Sequence, residues 1–124
     1  MVTPEQIAMS FYRAMASGSR GSVEEVVCRS FAEDATLTRP ESLPGGGVLA
    51  GRRSIVAFLG PAAGKVPLVV NRIFTDDSGL NLFASVTITL AGRPMDALEW
   101  WTFDDGRVHT IRAFYWDTAA MSQR

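Results

Sequence analysis

Cysteine and histidine are almost missing from this chain: its 124 residues include one of each, Cys28 and His109. A single Cys excludes a disulfide framework or a Cys-based zinc site within one chain. A lone His just after a turn has no partners for a metal site and reads as a surface residue. No metal site is therefore expected, and no organic cofactor is implied. Charge of one sign is also lacking, with 12 Lys and Arg against 13 Asp and Glu, a net charge of -1 and no long basic run. Phosphate binding needs clustered cations, so no nucleic-acid partner is expected. No apolar run approaches the roughly 18 residues of a membrane span. Met1-Val2-Thr3-Pro4-Glu5 has neither a basic nor an apolar leader character, so the expectation is a soluble protein of a reducing cytoplasm.

What is present is the makings of a core. Hydrophobic residues are 47% and charged residues 20% of the chain, which suits one folded domain over residues 1–124 rather than disorder. Thr3, Pro4 and Gln6 read as a helix start, with a hydroxyl cap, a proline in the first turn and a Gln placed to close a capping box. Ile7, Ala8, Phe11, Ala14 and Met15 recur at helical spacing up to Gly18. Ser22 reads as the cap of a second short helix that buries Val26, Val27 and Phe31. Ala35 to Thr38 is a short strand, Pro40 to Gly47 a loop, and Arg53 to Leu59 a third short helix ended by Gly60-Pro61.

From Leu68 the period becomes extended. Val69 to Phe74, Leu80 to Leu90, Met95 to Phe103 and Val108 to Trp116 read as four strands joined by hairpin-type turns at residues 76–79, 91–94 and 104–106. Three helices followed by a meander make an α+β layout, with one sheet face on the helices and, if the sheet curves, a pocket between them.

In their order and spacing several segments resemble the ketosteroid isomerase and SnoaL-like polyketide cyclase group, which shares its fold with nuclear transport factor two. They are Thr3-Pro4-Glu5, Ala14 to Gly18, Phe31 to Thr36, Gly51 to Ile55 and Gly106 to Phe114, so the match spans nearly the whole chain. The resemblance implies a cone: three N-terminal helices packed on a curved, mainly antiparallel sheet around an apolar cavity, commonly in dimers. In the isomerases a helix tyrosine, an aspartate base and a protonated aspartic acid act together, the last of them kept neutral by its apolar site. Carried over, the tyrosine falls on Phe11, the base on Arg39 and the acid on Glu99. Arg stays protonated and cannot serve as the base, so ordinary steroid isomerase activity is not expected.

Strand alternation tests Glu99 independently. Ala97, Glu99, Trp101 and Phe103 share one face, and Leu98, Trp100 and Thr102 share the other. An acid in that apolar row has its pKa raised unless a cation compensates, which would make it a candidate general acid or base. The competing reading is a structural Glu paired with Arg39, Arg72 or Arg112. On the last strand Ile111, Ala113, Tyr115 and Asp117 share a face that the resemblance turns to the cavity, with Tyr115 able to donate to a ligand oxygen. Phe11, Tyr12 and Met15 in the first helix are further candidates for the cavity wall, with Ala97, Trp101, Phe103 and Ile111.

Two functions follow as expectations. One is an enzyme on a small apolar molecule, an isomerase, cyclase or epoxide hydrolase, with Glu99 as acid or base, Arg39 stabilising an oxyanion and Tyr115 orienting the ligand. The Asp-Arg-Asp constellation of related epoxide hydrolases is echoed by Glu99, Arg39 and Asp117. The other is a non-catalytic module that binds a hydrophobic ligand or dimerises. Trp100, Arg112, Phe114 and Trp116, on the outer sheet face, are the expected homodimer surface. Cys28 reads as a buried inert thiol, and Gly45-Gly46-Gly47 as part of a mobile flap rather than a phosphate loop.

Overall fold

The computed structural model describes residues 2–122. Helix α1 (Pro4–Ser17) opens with the capping box read from the sequence: Gln6 N donates to Thr3 Oγ1 at 3.1 Å and Thr3 N to Gln6 Oε1 at 2.9 Å. Gly18 ends it in the left-handed conformation. Its buried stripe is Ile7, Ala8, Phe11, Tyr12 and Ala14. Helix α2 (Arg20–Ser30) starts earlier than expected, because Ser19 rather than Ser22 is the cap; the Ser22 N–H donates to Ser19 Oγ at 3.1 Å.

The sheet has six strands: β1 (Phe31–Arg39), β2 (Gly47–Ala50), β3 (Leu68–Thr75), β4 (Asn81–Leu90), β5 (Arg93–Asp104) and β6 (Arg107–Tyr115). Their spatial order is β2-β1-β6-β5-β4-β3, antiparallel except for the parallel β1–β6 pair. Helix α3 (Arg52–Leu59) follows β2, and a short helix α4 (Thr118–Ser122) follows β6. Register shifts in the β1–β6, β3–β4 and β5–β6 ladders bend an open sheet around the helices. The layout is thus the expected α+β one, with β1 longer than Ala35–Thr38 and with β2 and α4 added to it.

The last two hairpins are two-residue turns. Ala91-Gly92 joins β4 to β5 and Asp105-Gly106 joins β5 to β6, with positive φ at all four residues (50°, 77°, 52° and 74°). Those angles suit the right-handed twist of the strands they connect. They also fix which side chains of β5 point inward. Ala97, Trp101 and Phe103 are buried against the helices, while Leu98 on the other face is exposed. Among the described residues, no helix is long and apolar enough to cross a membrane.

Candidate functional site

Glu99 is placed by a row of small residues. In the sheet it pairs with Ala84 of β4 on one side and Ala113 of β6 on the other. Two alanines flanking a longer side chain leave room above it, and α1 fills part of that room with Tyr12. The Tyr12 hydroxyl donates to Glu99 Oε1 at 2.5 Å and accepts from Trp101 Nε1 at 3.2 Å. Phe11 and Tyr12 pack edge-on against the Trp101 ring at centroid distances of 5.3 Å and 5.8 Å, so the aromatic core holds the phenol in place.

The residue that meets the acid from α1 is therefore Tyr12, one position after the Phe11 to which the resemblance assigned it. On a helix one residue is a turn of about 100°. Here that turn sends Phe11 toward Trp101 and Phe31 and Tyr12 to Glu99.

Above this pair lies a cavity of about 690 Å³, walled by α1, β1, the 40–46 loop, α3, residues 61–69 and the inner ends of β4 to β6. Phe11, Tyr12, Met15, Arg39, Glu99, Ile111 and Tyr115 all contribute to its wall, which is mostly apolar. Four other candidates do not. Ala97, Trp101 and Phe103 face inward as alternation requires but are packed into the core, Ala97 beside Tyr115 on one side of Glu99 and the two aromatics on the other. Asp117 is exposed beyond the end of β6, and its Oδ1 accepts from Ala120 N at 3.0 Å, capping α4. The Glu99, Arg39, Asp117 echo of an epoxide hydrolase is therefore not assembled. Wall residues that the sequence reading missed include Leu43, Pro44 and Phe58, contributed by a loop and a helix whose approach to the sheet has no periodic signature.

Arg39 does not pair with Glu99. Its Nη1 donates to Pro44 O at 3.0 Å, and its guanidinium lies 4.8 Å from the Phe58 ring centroid and 5.9 Å from that of Tyr115. Arg72 and Arg112 lie over Phe74 and Phe114 instead. Among the described residues the one ion pair is the exposed Arg29–Glu25 contact. Glu99 thus carries no cation, and burial raises its pKa above the usual 4.5, with the Tyr12 bond pulling part of the way back. Burial, reinforced by the Glu99 charge, likewise raises both tyrosines, and Arg39 opposes this at Tyr115. The Glu99 oxygen that Tyr12 does not bond has no partner among the described residues, yet it is no buried orphan, since it opens onto the cavity.

Outside the cavity, Cys28 is exposed rather than buried, because it lies on the solvent side of α2 opposite Val23, Val26 and Val27. His109 is exposed. The glycine-rich loop is folded onto the cavity, with Gly46 N donating to Leu43 O at 2.8 Å. Among the described residues no cluster of His, Cys, Asp or Glu could hold a metal ion.

No protein-family model matches the chain, and no curated protein does. Solved structures do. Bal32a, from a soil-derived mobile gene cassette, is similar with a TM-score of 0.77 and 22% identity over 96% of this chain and 95% of its own. An NTF2-like protein of unknown function from Cytophaga hutchinsonii has a TM-score of 0.76 at 14% identity, covering 98% and 96%. A candidate ketosteroid isomerase from Kribbella flavida has a TM-score of 0.72 at 20% identity, covering 90% and 76%. This chain has the nuclear transport factor two-like fold, the one its resemblance implied.

Proposed function

We propose that the chain is a small-molecule enzyme of the ketosteroid-isomerase and SnoaL-like kind, carrying out acid/base chemistry of the isomerase, cyclase or epoxide-hydrolase type on an apolar substrate. The observation that carries this reading is Glu99: a desolvated carboxyl without a cation, anchored through one oxygen by Tyr12 and open to an apolar cavity through the other. A neutral carboxyl there donates a proton to a substrate oxygen, and the carboxylate left behind takes one from carbon or water. Tyr12 fixes the angle of the carboxyl, and Tyr115 orients the ligand. Arg39 supplies positive charge and not a base, so the usual steroid isomerisation is not the reaction.

The test is a screen of enol, lactone and epoxide substrates followed by Glu99→Gln. Loss of a general acid or base lowers kcat by about 10²–10⁴-fold. Unchanged turnover of a discovered substrate by the Gln variant would sink the assignment.

A second reading, a non-catalytic module for a hydrophobic ligand, is favoured by Arg39 standing where the base would be. It gains if ligands bind the cavity and none is turned over. We also propose a homodimer through the outer sheet face around Trp100, Arg112, Phe114 and Trp116, supported by the 43% exposure of Phe114 and 86% of Trp116. A monomer by light scattering at micromolar concentration overturns it.

A further inference from the structure

Arg39 is a cation on the wall of an apolar cavity with no carboxylate beside it among the described residues. A guanidinium partly withdrawn from water is costly unless an anion meets it. Its position says which anion fits. One residue past the Thr38–Arg112 pair, Arg39 comes alongside Ala113, which pairs in turn with Glu99. Arg39 and Glu99 therefore stand on the same face, two strands apart, with an alanine between them. Two interstrand spacings are about 9.6 Å. The Pro44 carbonyl and the Phe58 and Tyr115 rings hold the guanidinium, and among the described residues no ion pair joins it to Glu99. That arrangement does not bring the two groups onto one substrate oxygen, as stabilising an oxyanion formed at Glu99 would require. It offers two separate polar ends of one apolar chamber.

We propose that the ligand of this cavity is an apolar monocarboxylate, its carboxylate bound by Arg39 with Tyr115 and a second, neutral carbonyl or hydroxyl oxygen presented to Glu99 and Tyr12. The neutral end rests on the acid/base reading above; the carboxylate end does not. Among the described residues Arg39 donates one hydrogen bond, to Pro44 O, which leaves further N–H groups for the bidentate contact that guanidinium and carboxylate favour. The body of the ligand lies over Ala113 between the two ends, against the Phe11, Leu37 and Ile111 side chains.

Calorimetric titration at neutral pH with three probes of one shape tests this: phenylbutyrate, phenylbutanamide and phenylbutanol. The carboxylate is expected to bind about tenfold or more tightly than the amide or the alcohol, as a charge-assisted bidentate contact requires. Arg39→Gln should abolish that preference while leaving amide binding in place, and Arg39→Lys should keep part of it. The wild-type comparison needs no variant, so it decides even where a substitution harms folding. Equal binding of acid and amide, or a preference that survives Arg39→Gln, overturns the anion assignment alone, and Glu99 is then still judged by turnover. Failure of all three probes to bind at millimolar concentration overturns this proposal together with the apolar-cavity reading.

Discussion

Glu99 should make the protein less stable as pH rises, and Glu99→Gln should remove that dependence. Burial holds the folded-state pKa of this carboxyl above its ordinary 4.5. Between the ordinary value and the raised one, the native state keeps a proton that the unfolded chain has released. Stability then falls with increasing pH, by at most about 1.4 kcal/mol per pH unit for one proton. Below the ordinary value both states are protonated and the native state bears no penalty from this group. Above the folded value both are ionised and the penalty is constant. Gln keeps the shape and can still accept from the Tyr12 hydroxyl, but it does not titrate. The stability difference, Gln variant minus wild type, should accordingly climb from about pH 4.5 upward and level off at the folded pKa of Glu99. Urea denaturation followed by tryptophan fluorescence at half-unit intervals from about pH 4 to 9 measures it, and other titrating groups cancel in the difference. A difference that stays flat from about pH 5 to 8 would refute the reasoning, because it would mean that Glu99 ionises in the fold as easily as in the unfolded chain.

Two further outcomes follow from the same geometry. Tyr12→Phe leaves Glu99 Oε1 and the Trp101 indole N–H without their partner, at a cost of about 1–3 kcal/mol; it also removes the bond that lowers the Glu99 pKa, so the pH window just described should extend upward by carboxylate NMR. Gly64→Ala should cost clearly more than Gly79→Ala. Both glycines have positive φ, worth about 1–2 kcal/mol to any other residue, but a Cβ at Gly64 would sit 2.6 Å from the Gly18 backbone while one at Gly79 meets nothing within 4 Å. Equal losses in thermal melts would show that the close approach of the two glycine backbones, beside the Gly64 N–H to Met15 carbonyl bond at 2.7 Å, does not pin α1 to the cavity wall.

The fold was legible where local chemistry dictates it. A capping box, a left-handed glycine and two Gly-bearing hairpin turns act within four residues, and the structure has each of them. The β2 strand, Gly47–Ala50, lacks such a mark. It is extended because β1 lies beside it, with Leu37 opposite Leu49 and Thr36 opposite Ala50. A pairing between segments a dozen residues apart, across a loop of Pro and Gly, leaves no period to read in four residues. The cap of α2 is ambiguous for a related reason: Ser19 and Ser22 are both good caps three residues apart, and either is locally sound.

At the site the same division holds. Alternation alone turns Glu99 inward with Ala97, Trp101 and Phe103, since a strand has only two faces and three of these four are apolar. What covers that face is not legible in that way: it carries both cavity wall and packed core, and Trp101 belongs to the core because α1 lays Phe11 and Tyr12 over it. The helix is harder still. Phe11 and Tyr12 are both aromatic and both buried, and which one meets the acid depends on how α1 is rotated against β5. That rotation is set by contacts across the sheet, at a sequence distance of 87 residues. The hydroxyl makes the choice decisive. Phe in the same place could not bond Glu99, and an unanchored carboxyl between two alanines would be free to swing. With Tyr12 there, one oxygen is fixed and the other points at whatever fills the cavity, which is the condition for a carboxyl to move a proton to or from a particular atom.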